Sequence, residues 1–275
     1  MKIQDIITES KWGQRPVPLS DYFKFHDQFT AAREAFDQGR RIYRGMDVYD
    51  TDFVYQPVMQ PGTRKSANVP NWYTLIMDNV PEWSKFPKRS ASVICTTDPI
   101  ASSDYGVTFN VLPFGNPIIG ICPNEDIWFS FPRLKTVGMQ SLEELMEAME
   151  ILANMYLDKR LSQDTWPDFT QGLQLLTQQI LQEYQSSRWA SVNKLQQRAV
   201  ITQDMLVALR EILDPQAAGF KTARLSEWQP ERQREIWFSA GAFFLQSTWV
   251  GQSRGLDARM KELIDANGTG VVGPM

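Results

Sequence analysis

Apolar and polar residues alternate with two different periods along this chain, and the changes of period mark out its sections. Residues 20–39 carry apolar groups at near-helical spacing, with Ser20 placed to cap the start and Gly39 after the last turn, which predicts an amphipathic helix. Arg41–Met46 is short, partly β-branched and aromatic, and reads as a strand; Phe53–Met59 reads as a second. The stretch from Pro61 to Pro70 is polar and loop-like, and Asn71 is placed to cap a short helix through Met77. From Ala91 to Pro123 the pattern turns β-rich, with strands expected at 92–97, 107–112 and 118–122. Between the first two of these, Asp98-Pro99 supplies an acceptor cap and a proline at the first helical position, so a short helical turn is expected.

Beyond residue 140 the period is helical. Ser141-Leu-Glu-Glu144 has the spacing of a capping box, and Leu142, Leu145, Met146, Met149, Leu152 and Tyr156 form one face of the helix it starts. A second helix is expected over 167–189, with Leu173, Leu176, Ile180 and Leu181 as its stripe. A third covers 202–213 and stops at Asp214-Pro215. Stripes of this kind are core-forming faces rather than cofactor boxes. After Gly219 the β pattern returns in Glu235–Leu245, and a last helix over 256–266 precedes a glycine-rich tail expected to fray. No internal repeat is present, and the fold class expected is α+β.

The composition changes this picture only by exclusion. With 43% hydrophobic and 22% charged residues among 275, the chain matches an ordinary globular protein rather than a disordered, collagenous or membrane one. A net charge of -4, from 28 basic and 32 acidic residues, gives no overall field favouring nucleic acid. Cys95 and Cys122 lie among apolar neighbours, so buried free thiols in a reducing, cytoplasmic setting are expected ahead of a disulfide. The first residues lack the apolar core of a signal peptide, and the longest apolar-rich stretch, Ile236–Val250, is shorter than the ~20 residues of a membrane span, so a soluble protein is expected.

A single histidine, His26, rules out multi-histidine metal sites, and no metal is expected. Any Ser-His-Asp system would have to use His26, whose aromatic surroundings, Phe23 to Phe29, read as a packing helix. Chemistry, if there is any, has to run on carboxylates, arginine, serine or a bound cofactor. Neither a P-loop nor a dinucleotide fingerprint is present.

Three separated pieces stand out, each at the edge of an expected strand. They are Tyr43-Arg44-Gly45; Ser90-Ala-Ser92, followed by Ala101 and Tyr105-Gly106; and Gln233-Arg-Glu235-Ile-Trp-Phe. In this order they resemble the arginine, Ser-x-Ser and Gln-x-Glu pattern of the mono-ADP-ribosyltransferase superfamily, over residues 41–125 and 219–250. The resemblance implies a single domain, 1–275, with a core of two small β-sheets at 41–135 and 219–250, flanking helices, and a large helical insertion at 140–215. It implies NAD as substrate, release of nicotinamide, and transfer of ADP-ribose to a macromolecular acceptor, a protein in the first instance.

The residue types suit that chemistry. An arginine holds a pyrophosphate by forked, charge-assisted hydrogen bonds, the role implied for Arg44 beside Gly45. Breaking the nicotinamide–ribose bond creates an oxocarbenium-like sugar that a carboxylate stabilises, the role implied for Glu235. Gln233 would face the acceptor, where an amide positions a nucleophile but accepts no proton. Ser90 and Ser92 would support the nicotinamide-ribose side and brace the glutamate, and Tyr105 would stack on the nicotinamide ring.

Each of these residues also has a plainer reading: a structural ion pair for Arg44, polar strand flanks for the serines, core for Tyr105, a solvated charge for Glu235. Asn124-Glu-Asp126-Ile-Trp-Phe nearly repeats the later Arg-Glu235-Ile-Trp-Phe run, which makes Asp126 a rival acid. Glu235 is preferred for its Gln-x-Glu spacing; were Asp126 the acid, everything after 140 would be a separate helical domain. The other function class is a structural or interaction protein without catalysis, suggested by 9 tryptophans and 15 phenylalanines, with the helical section as its binding element. A carboxylate-based glycosidase has acids to draw on but no paired spacing.

Overall fold

The computed structural model describes residues 14–18, 20–47, 53–62, 64–65, 69–157, 160–186, 194–231, 233–250 and 255–268. The N-terminal segment, residues 187–189 of the expected second helix and the glycine-rich tail lie outside these residues.

Nine strands form one antiparallel sheet: β1 (Arg15–Pro16), β2 (Tyr43–Met46), β3 (Phe53–Gln56), β4 (Val93–Thr96), β5 (Val107–Pro113), β6 (Ile118–Ile121), β7 (Lys221–Arg224), β8 (Glu235–Phe238) and β9 (Ala242–Gln246). Their order across the sheet is β1-β3-β9-β5-β2-β4-β8-β6-β7. The fold is therefore α+β, but the expected pair of small sheets is instead a single sheet with a weak middle. β2 pairs with β5 over four residues and with β4 over only one, Tyr43 with Thr96. Past that pair the backbones of β2 and β4 no longer pair, so a gap opens between a five-stranded and a four-stranded part.

β4 and β8 of the four-stranded part send side chains into a core on each face, because successive residues alternate with the period of the pleat. Ile236 and Phe238 of β8 join Val93 and Cys95 of β4 in a core shared with Phe109, Val111, Phe243 and Leu245 of the five-stranded part. On the other face Trp237 enters a second core made with the helices. Glycine at position 120 is what lets the indole lie against β6, since a Cβ there would sit 2.3 Å from the Trp237 ring.

Of the helices, α1 (Asp21–Phe25), α2 (Thr30–Asp37), α3 (Trp72–Asn79) and α4 (Pro99–Ser103) precede the helical section. A 3-10 turn, His26–Phe29, interrupts the helix expected over 20–39, and Ser20 makes no capping bond. Asp98 does cap α4, accepting from Ile100 N at 2.8 Å. The helical section comprises α5 (Leu142–Tyr156), α6 (Trp166–Ser186), α7 (Lys194–Thr202) and α8 (Met205–Ile212), followed by the single turn α9 (Pro215–Ala218). Ser141 caps α5 as its spacing predicts, accepting from Glu144 N. The apolar stripes of α5 and α6 are buried together with Tyr73, Trp83 and Trp237. The single helix expected over 202–213 is in fact the end of α7 and all of α8. The chain turns at Gln203, where φ is +56, and Asp204 caps the new helix through Leu206 N. After β9 come α10 (Ser247–Val250) and α11 (Leu256–Gly268). No helix among the described residues is long and apolar enough to cross a membrane.

Candidate functional site

A cavity of about 100 Å³ opens where β2 and β4 part. Tyr43, Arg44 and Gly45 line it from β2, and Ile94, Cys95 and Thr96 from β4. Glu235 of β8 reaches it because Thr96, the one residue of β4 paired with β2, is also the register partner of Glu235. The row Tyr43–Thr96–Glu235 thus runs across three adjacent strands, so residues distant in the chain become neighbours. Tyr105, in the turn after α4, and Asp126, in the segment after β6, complete this part of the wall.

Arg44, Gly45, Tyr105 and Glu235 therefore meet at one cavity, as does the rival acid Asp126. Arg44 is buried, and its Nη1 donates to the Ile94 carbonyl across the gap at 2.8 Å. Burial, reinforced by repulsion from Arg64, lowers its pKa to about 10, which leaves it charged at neutral pH. Gly45 serves close packing: a Cβ there would stand 1.9 Å from the Ser102 carbonyl oxygen and 2.8 Å from Tyr105 Cβ. The absence of a side chain at 45 is what brings α4 and Tyr105 up to β2.

Three expected site residues do not line the cavity. Ser90 lies in the 3-10 turn Arg89–Ala91, where its hydroxyl donates to Asp78 of α3 and accepts from Gly62 N at 2.7 Å. Its carbonyl accepts from Arg64 N at 2.9 Å, so Ser90 fixes the loop that brings Arg64 to the cavity wall rather than bracing Glu235. Ser92 Oγ donates to the Lys88 carbonyl at 2.6 Å and shares a bond with Ser239, which ties the end of β4 to the β8–β9 turn. Gln233 is exposed and has a φ of +54, in the left-handed region. The argument that it shares a face with Glu235 requires extended backbone at 233, and β8 starts only at 235.

The group that braces the glutamate is Arg89, immediately before the Ser-x-Ser motif. Its Nη1 stands 2.5 Å from Glu235 Oε1, and both side chains are buried. The same guanidinium lies 5.1 Å from the Trp237 ring centroid, on the strand face that Glu235 and Trp237 share. Burial disfavours the charge on Arg89, but the adjoining carboxylate outweighs it and the guanidinium pKa is raised. Glu235 Oε1 also accepts from Cys122 Sγ at 3.7 Å, and Oε2 accepts from Ile127 N at 3.3 Å. Both oxygens of this carboxylate are thus engaged.

Asp126 differs. Oδ1 caps the 3-10 turn Ile127–Phe129, accepting from Trp128 N at 3.0 Å, while Oδ2 has no hydrogen-bond partner among the described residues. Burial, then the nearby Glu235 charge, raise its pKa to about 7. The folded state accordingly holds this proton more tightly than the unfolded chain. The stability it contributes is full below the ordinary carboxylate range and is lost as pH rises through about 7. The unfolding free energy of the wild type, from urea denaturation, is expected to fall between pH 5 and 8.5 more steeply than that of Asp126→Asn, by on the order of one to three kcal/mol. Parallel curves would show that the carboxyl is not shifted.

Burial also pushes the Cys95 thiol up to about 12, and both Cys95 and Cys122 are free and buried, as their apolar neighbours suggest. His26 is tied to Asp257 and Arg33 and does not line the cavity. Sequence reasoning missed Arg89 and Arg64. The first is masked by its place in a Lys-Arg pair that looks solvated, the second by lying in a polar loop. No group of three or more His, Cys, Asp or Glu among the described residues is arranged to hold a metal ion. No protein-family model, curated protein or solved structure matches this chain.

Proposed function

We propose that the chain is a mono-ADP-ribosyltransferase that cleaves NAD at this cavity, releases nicotinamide and passes ADP-ribose to a macromolecular acceptor. The observation that carries the reading is the meeting of Arg44, Tyr105 and Glu235, from β2, the turn after α4 and β8, at one opening in the sheet. An arginine for the pyrophosphate, an aromatic for the pyridine ring and a fixed carboxylate for the sugar cation are the groups the reaction requires. The cavity is somewhat smaller than the ~150 Å³ that holds a benzene ring, so on this reading its walls move apart to admit the nicotinamide-ribose end of a dinucleotide.

The Arg89–Glu235 ion pair favours a second reading. A carboxylate already neutralised by a buried guanidinium stabilises a cation less, so the same cavity suits a module that binds a nucleotide without cleaving it. One experiment separates the two. Incubation with NAD labelled on the adenylate and a mixture of protein targets is expected to label protein with the wild type and not with Glu235→Ala. Identical blanks from both, together with an NAD-induced rise in Tm, would favour the binding module; no rise either would count against both.

A further inference from the structure

We propose that Asp126 is the proton acceptor of the transfer step, and that the acceptor is therefore an O–H or N–H nucleophile rather than a carboxylate. This rests on the reading of the cavity as the place of NAD cleavage. The two carboxyls that face the cavity are held in opposite ways. Glu235 has both oxygens engaged, by Arg89, Cys122 and Ile127 N, and is held in place. Asp126 has one oxygen spent on Trp128 N and the other without a hydrogen-bond partner among the described residues, on a residue that lines the same cavity. A general base needs an oxygen within reach of the proton it removes and an affinity for it near the working pH.

Gln233, the residue that the motif places beside the acceptor, is an amide, is exposed and does not line the cavity, so it cannot take a proton. The charged and titratable groups around Asp126 are Glu235 from β8, Arg89 from the turn before β4, Tyr105 after α4, and Cys122 and Glu125 on its own segment, while Tyr43 and Arg44 of β2, Arg64 and Tyr73 line the rest of the cavity. Burial and the Glu235 charge raise the affinity of Asp126 for a proton, and Arg89 lowers it. In the step itself the acceptor oxygen or nitrogen forms a bond to the ribose C1′ as the C1′–nicotinamide bond breaks. The electron pair of the broken bond goes to the ring nitrogen, which neutralises the pyridinium. The acceptor proton passes to Asp126 and from there to solvent. A carboxylate acceptor has no proton to give and would leave Asp126 without a task.

Asp126→Asn tests this cleanly, because asparagine keeps an oxygen to cap Trp128 N and caps as well as aspartate does. Nicotinamide release and ADP-ribosyl transfer are followed from pH 5 to 9 for the intact wild type and variant, with Tm recorded to confirm folding. The expected result is a kcat lower by roughly 100-fold or more with the KM for NAD within about threefold, and loss of the rising limb that the wild type shows near neutral pH. A variant within threefold of the wild type at all pH values, or one that keeps the limb, overturns the role of Asp126 while the transferase reading stands. A wild type that releases no nicotinamide at any pH overturns both together.

Discussion

Replacing Arg89 by methionine is expected to cost about 3–5 kcal/mol of unfolding free energy, among the largest effects of any single substitution in the protein. The reason is the company it keeps. Arg89 is 2% exposed, pairs with Glu235 at 2.5 Å and stacks on Trp237, so its removal strands a carboxylate among Cys122, Ile127 and the indole. A buried charge without its partner is worse than no charge. The double variant Arg89→Met/Glu235→Leu removes both charges and fills much the same space, and is expected to recover most of the loss. Urea denaturation of the two single variants, the double variant and the wild type at pH 7 measures this. A single Arg89→Met that loses less than about 1 kcal/mol would mean the pair is solvated, and the cavity wall would have to be redrawn.

Glu235→Gln is expected to lower kcat for nicotinamide release by roughly 100- to 1,000-fold, with little change in the KM for NAD. Glutamine keeps the shape of the side chain and one oxygen to face Arg89, so the variant loses the negative charge and the bond from Ile127 N, which then meets the amide NH2. Charge fixed before the sugar cation forms acts on the transition state and not on the bound substrate, which is why the effect falls on kcat. Initial rates of nicotinamide release across a range of NAD concentrations give both constants. A fall in KM-dependent binding with kcat intact would assign Glu235 to substrate binding alone. The retained Arg89 charge makes this variant less stable than the wild type, so rates are compared well below its Tm.

These two effects involve residues that differ sharply in how readable they are from sequence. β8 is legible because Glu235-Ile-Trp-Phe alternates between two cores, and α5 because Ser141 and Glu144 hold the spacing of a cap. Glu235 and Arg44 stand out through their motifs, and the sheet brings them to one cavity through the register of Thr96 with both Tyr43 and Glu235. That register is a long-range property with no local sign. Arg89 and Arg64 are silent for the same reason: an arginine in a polar stretch reads as solvated until tertiary packing buries it. Ser90 and Ser92 have the expected spacing, yet their hydroxyls are satisfied by Asp78, Gly62, Lys88 and Ser239, partners that no local pattern reveals.

Other misreadings have local causes. β7, Lys221–Arg224, is an edge strand with mostly exposed side chains, so it lacks the apolar alternation by which strands are found. The joint between α7 and α8 turns on Gln203 in the left-handed region, a conformation that glutamine does not advertise. Gln233 lies off the cavity lining with the same backbone feature, a positive φ outside the extended run that its spacing assumed. Gly45, expected at the cofactor beside Arg44, is a packing glycine that lets Tyr105 approach the cavity, a role set by tertiary contact and without local sign.

The most direct test is a crystal structure of the full chain with a non-cleavable NAD analogue. The expected result is the analogue in the gap between β2 and β4, its pyrophosphate on the Arg44 side and its nicotinamide-ribose end at Glu235. An analogue seated elsewhere on the molecule, with the gap empty at saturating concentration, would contradict it.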